Sequence, residues 1–193
     1  MSNIDEFAEF IQPANSALVI WDVQKMLVDA IFNRDEFLTN VRKLVAAAGQ
    51  LDIPIFFTRI TPLPERFESS GRKFMMRKRL RGFAPAPDAF DLVLSPGHED
   101  IVINKNTASI FVGTNFELMV RNAGISALIF TGIATEMGIE SSSRDAGNRG
   151  FFPVIVTDAV SSRDREAHSR SLQNLQTLIP LVSTDELLGF WKK

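Results

Sequence analysis

The chain has 193 residues, of which 45% are hydrophobic and 23% charged, with a net charge of −2, two histidines and no cysteine. This composition excludes disulfides, thiolate zinc sites, iron–sulfur clusters and any cysteine nucleophile, and two histidines cannot build a multi-histidine metal centre. A pI near 5.7 argues against broad nucleic-acid binding, which needs a basic surface.

The length suits one packed domain, residues 1–193, without covalent staples. Asp5, Glu6 and Glu9 stand where a signal peptide would have a basic start and an apolar run. The longest apolar stretches are too short to span a bilayer. The expectation is a cytoplasmic protein without membrane contact.

In chain order, Ala17–Trp21 is a continuous apolar run read as a buried strand ending at Asp22. Phe37, Val41, Leu44, Val45 and Ala48 recur at helical spacing and predict a helix over Asp35–Gln50. Ile53–Thr58 reads as a second strand with Pro54 at its start, and Ile101–Asn104 as a third. Phe116, Met119, Val120 and Ala123 share a helical face that stops at Gly124. Ala127–Thr131 is the fourth strand. Glu136–Asn148 follows as a helix with Thr135 as its N-cap. Pro153–Thr157 is the fifth strand. Asp164–Leu178 is a helix with Leu172, Leu175 and Leu178 facing inward. Pro180–Val182 is a short sixth strand and Thr184–Trp191 the last helix. Apolar strands alternating with helices predict an α/β fold with three α/β/α layers around a doubly wound, six-stranded parallel sheet.

Residues 61–87 break the alternation. Seven of the 21 basic residues fall here: Arg66, Arg72, Lys73, Arg77, Lys78, Arg79 and Arg81. Such an insertion after a strand reads either as a solvated face or subunit contact, or as a loop attracting an anionic substrate.

In open parallel sheets ligands bind beyond the carboxyl ends of the strands. Those ends carry Asp22 and Gln24, Thr58 and Arg59, Asn104 and Lys105, Thr131–Thr135 followed by Glu136 and Gly138, and Asp158. A carboxylate just past a buried strand is partly desolvated, which suits Asp22 to acid–base work, although a loop or capping carboxylate has the same placement. Lys105 alone reads as a solvated lysine. No phosphate loop, dinucleotide fingerprint or serine elbow is present. His98 reads as a turn residue, His168 as solvated, Trp191 as a packing anchor and Asp158 as a loop cap.

Val19-Ile20-Trp21-Asp22-Val23-Gln24, Val102-Ile103-Asn104-Lys105-Asn106-Thr107 and Phe130-Thr131-Gly132-Ile133-Ala134-Thr135-Glu136-Met137-Gly138 resemble, in order and spacing, the isochorismatase-like (cysteine hydrolase) superfamily. The likeness covers about residues 14–186. It implies an Asp–Lys–Cys triad, with Asp22 and Lys105 at the first two positions. Gly138 takes the nucleophile's position, where this chain departs from the thiol pattern. It also implies a non-proline cis peptide at Ile133–Ala134, with Gln24, Arg59, Ile133, Ala134, Thr135 and Glu136 toward the substrate. No metal site and no cofactor are implied.

Isochorismatases themselves resemble this chain in having Gly at that position, and they cleave a vinyl ether. The expectation is therefore a hydrolase that acts without a thiol on a small anionic substrate, with Asp22 as general acid. Two alternatives stand beside it: a non-catalytic binding or assembly module, and an amidase-type member that has lost its nucleophile. Family likeness further implies a homo-oligomer, a dimer or larger.

Overall fold

The computed structural model describes residues 3–80 and 85–192. Arg81 of the basic segment lies outside the described residues. The strands are β1 (Ser16–Trp21), β2 (Ile55–Ile60), β3 (Ile101–Lys105), β4 (Ala127–Ile133), β5 (Phe152–Ser161) and β6 (Leu181–Val182). The α-helices are α1 (Lys25–Val28), α2 (Arg34–Gln50), α3 (Ser70–Leu80), α4 (Phe116–Asn122), α5 (Glu140–Asn148), α6 (Arg165–Leu175) and α7 (Thr184–Trp191). All six strands pair in parallel in the order β3-β2-β1-β4-β5-β6. The order reverses between β1 and β4, which makes their carboxyl ends the switch point of the sheet.

β1 is buried along its whole length because alternate residues enter two different cores. Leu18 and Ile20 pack with Phe37, Val41 and Leu44 of α2 and with Leu187 and Trp191 of α7. Ala17, Val19 and Trp21 pack on the other face with Phe116 and Val120 of α4, Ala146 of α5 and Leu175 of α6. Burying each large side chain contributes about 1.5–3 kcal/mol, so two such cores hold the sheet without cross-links. No helix among the described residues is long and apolar enough to cross a membrane.

Several expected boundaries move. The helix predicted from Glu136 begins as a π-helical turn, Thr135–Ile139, before α5. Thr135 lies inside that turn rather than capping it. β5 runs on to Ser161 because its pairing with β4 shifts register between Phe130 and Gly132. α6 stops at Leu175, and Leu178 is 64% exposed rather than inward. Asp158 caps no loop; its Oδ1 accepts from the backbone N–H and the hydroxyl of Thr184, tying β5 to the start of α7. Ser183 and Glu186 complete a capping box there.

Residues 61–87, which show no strand pattern, contain α3. Its polarity is inverted: Arg72, Lys73 and Met76 lie on the half-buried side, while Phe74 is 65% exposed.

Candidate active site

β1 delivers Asp22 to the switch point. The chain turns there through a left-handed backbone conformation, φ 48°, which Asp tolerates better than most residues. Asp22 is 2% exposed, and both of its carboxylate oxygens are engaged. Thr58 Oγ1, at the end of β2, donates to Oδ1 at 2.6 Å and accepts the Asp22 backbone N–H at 3.0 Å. Lys105 Nζ, at the end of β3, donates to Oδ2 at 2.7 Å. The same ammonium lies 3.8 Å from the centroid of the Trp21 ring, a cation–π contact that partly replaces lost hydration. Burial pushes the Asp22 carboxyl above its ordinary range, against the opposing pull of Lys105 and Thr58. Burial pushes Lys105 down, against the pull of Asp22. The pair therefore holds its charges less firmly than an exposed one, which suits Asp22 to carrying a proton.

Gly138 is buried. A Cβ built on it would fall inside the indole of Trp21, against Nε1, Cε2 and Cζ2. The volume that a side chain at position 138 would need is thus occupied from β1. Gly132, at φ 118°, is equally constrained, since a Cβ there would meet the Trp21 backbone. Two of the neighbouring serines are committed elsewhere. Ser142 donates to Ala108 O and accepts from Ile110 N–H, and Ser143 donates to Glu140 O.

The remaining expected site residues divide. Gln24 is 1% exposed, and its amide clamps backbone: Nε2 donates to Phe90 O and Ile60 O, and Oε1 accepts from Ile60 N–H. Those contacts leave it a brace between β2 and the segment at 90. Arg59 alternates to the sheet face opposite Thr58 and donates from Nε to Asn104 Oδ1 at 3.1 Å. It does not join the Asp22–Lys105 pair. Ile133 is buried, Ala134 half-buried, and the peptide bond between them is cis.

Thr135 and Glu136 open a second polar cluster, and it includes a residue that the sequence reading placed in solvent. Thr135 Oγ1 donates to Ser161 O at 3.2 Å and lies 2.8 Å from His168 Nδ1. With its proton so committed, the hydroxyl accepts from Nδ1–H; the tautomer is assigned from this network. Glu136 Oε1 accepts from Ser162 Oγ at 2.8 Å, while Oε2 is buried without a hydrogen-bond partner among the described residues. Burial lowers the pKa of His168; Glu136 pulls it up and Arg165 pushes it further down. The missed signal is helical spacing: residues 168, 171, 172 and 175 share one face of α6, so His168 belongs with Ser171 and Leu175, both buried.

Two surface grooves lie elsewhere. One, about 270 Å³, is lined by Lys25, Asp88 and Leu92 among others. The second, about 240 Å³, runs along α3 past Arg72 and Met76.

Similarity to known proteins agrees with this fold. A family model described as the isochorismatase domain matches residues 16–186. The ureidoacrylate amidohydrolase RutB of Pseudomonas syringae pv. syringae is 28% identical, over 90% of this chain and 82% of its own. An uncharacterized isochorismatase family protein of Bacillus subtilis, YwoC, is 35% identical over 82% of this chain and 84% of its own. Among solved structures, a cysteine hydrolase from Pseudomonas syringae pv. phaseolicola superposes with a TM-score of 0.85 at 16% identity, covering 95% of each chain. At that identity the likeness concerns the fold. With the family model spanning most of the chain, the protein belongs to the isochorismatase family of hydrolases.

Proposed function

We propose that this protein hydrolyses a small anionic substrate without a thiol, with Asp22 as the proton donor. The observation that carries this reading is the buried Asp22 carboxyl, raised in pKa and held by Thr58 and Lys105 at the switch point. A vinyl ether suits such a donor. Asp22 gives its proton to the terminal alkene carbon, and the ether oxygen stabilises the resulting cation. Water adds to the cationic carbon and returns a proton to Asp22. The hemiketal then collapses to an alcohol and a carbonyl compound. No step calls for a nucleophilic side chain at Gly138, so its occupation by the Trp21 indole is compatible with this chemistry. Lys105 orients the carboxyl and balances its charge.

Turnover of isochorismate by the wild type and by Asp22→Asn tests the reading. We expect a loss of at least about a hundredfold in the variant, the usual scale of a general acid. The wild-type rate should fall as pH rises through the raised pKa of Asp22, because the donor must be protonated. Equal rates in the two proteins would end the proposal.

Two specific observations support other readings. The named amidohydrolase relatives favour an amide, and ureidoacrylate offers both an amide-type bond and a carboxylate. Assaying ureidoacrylate beside isochorismate decides the bond class. The packing of Trp21 over Gly138 and the near-complete burial of the pair favour a non-catalytic binding module. Absence of turnover on both compounds would support that module.

A further inference from the structure

We propose that the groove along α3 is a carboxylate-binding site in which Arg72 is the anchor and Glu68 fills the ligand's place until it arrives. The proposal rests on the reading of an anionic substrate and names how that anion is recognised.

The groove, about 240 Å³, is lined by the apolar Pro62, Leu63 and Met76 and by charged residues that include Glu68, Arg72 and Lys73. Such a mixture fits a small molecule with an apolar body and one anionic end. Arg72 is largely enclosed: its side chain is 18% exposed, and that of Glu68 10%. Nε lies 2.9 Å from Glu68 Oε2, yet that contact is off the line of the N–H bond, and Nε is a buried donor without a hydrogen bond among the described residues. Nη1 makes a long bond, 3.4 Å, to Asn106 O. A guanidinium has five N–H donors arranged as a fork for a carboxylate. Here the fork is enclosed and, among the described residues, only loosely used.

Glu68 is placed as a substitute anion. Its Oε1 accepts from the Ser69 backbone N–H, and Ser69 Oγ accepts from the Arg72 N–H, which sets Glu68 at the start of α3. A ligand carboxylate that meets the fork squarely would gain the bidentate geometry that Glu68 lacks, and Glu68 would turn to solvent. Arg72 also links the groove to the buried pair. Asn106, which it contacts, follows Lys105 directly, and Arg72 is among the groups whose charge acts on both Asp22 and Lys105.

Calorimetric titration of the full chain with benzoate, and with benzamide as its neutral counterpart, tests the site without requiring turnover. We expect benzoate to bind the wild type, to bind Glu68→Gln about tenfold more tightly, and to bind Arg72→Gln about tenfold or more weakly, the scale of one charge-assisted pair. Arg72→Lys, which keeps the charge but not the fork, should fall between wild type and Arg72→Gln. Benzamide affinity should stay constant across all four proteins. Equal affinity for benzoate and benzamide, or a Glu68→Gln variant that binds benzoate no better than wild type, would overturn the proposal. Because Glu68→Gln predicts a gain, misfolding cannot imitate success. Inactivity on isochorismate with benzoate binding as described would count against the Asp22 chemistry alone. Turnover retained in Arg72→Gln, with benzoate affinity unchanged, would count against this site alone.

Discussion

Two buried polar clusters sit at the carboxyl end of the sheet, and they differ in how completely they are satisfied. Around Asp22, each carboxylate oxygen has a partner, the ammonium of Lys105 rests on an indole, and that indole fills the space over Gly138. Around Glu136, one oxygen is bonded to Ser162, the other has no partner among the described residues, and His168 reaches Thr135 from a half-buried position. A buried polar group in a low-dielectric interior is costly when unpaired and rigidifying when fully paired. The first cluster is therefore built to be held still. The second keeps an acceptor available.

The contrast can be broken most forcefully at Lys105. Lys105→Met strands the Asp22 carboxyl in the core, and we expect a loss of about 3–5 kcal/mol in urea unfolding, with much of it restored in Asp22→Leu/Lys105→Met. A single variant as stable as wild type would mean that Asp22 is already neutral and needs no partner.

Gly138→Cys should cost about 1–3 kcal/mol, because its side chain must displace the Trp21 indole. Adding Trp21→Val to that variant opens the space, so the new thiol should react with a thiol reagent faster in the double variant than in the single one. Equal reactivity would show that the indole yields easily.

His168 sharpens the other side of the comparison. Its folded pKa is depressed below the ordinary value of 6.5, so between the two values the unfolded chain binds more protons. Stability should therefore rise with pH through that window and fall as pH drops below about 6.5. Urea midpoints at pH 7.5 and 5.5 should differ more for wild type than for His168→Gln; identical differences would remove His168 as the source. The smallest effect is expected at Glu136→Gln, under about 1 kcal/mol by the same unfolding measurement, since one carboxylate oxygen already lacks a partner among the described residues. A larger loss would mean that the free oxygen has a stabilising role.

The sheet was legible because most of its strands are short apolar runs alternating with helical patterns, as a parallel sheet covered on both faces requires. The Asp22–Lys105 pairing followed from family resemblance, and the structure supplies its reason: Thr58 and Lys105 close on Asp22 from two neighbouring strands. α3 was not legible. With Phe74 outward and Arg72 and Lys73 on the half-buried side, it lacks the apolar inner stripe by which a helix is recognised in sequence. Family resemblance placed Gln24 and Arg59 toward the substrate, and what no sequence pattern gave is the set of partners they take within the fold. The amide of Gln24 satisfies backbone groups, and the alternation of β2 turns Arg59 to Asn104.

The sequence alone determined that no thiol can act here, since cysteine is absent from the whole chain. It also determined the layered α/β architecture, because local apolar periodicity encodes burial. Only the tertiary structure decided what fills the space beside Gly138. Trp21 and Gly138 lie on β1 and in the turn after β4, and parallel pairing of Trp21 with Gly132 brings the indole over Gly138. Such a fit between a large side chain and a missing one is a property of packing across strands, which no local pattern records.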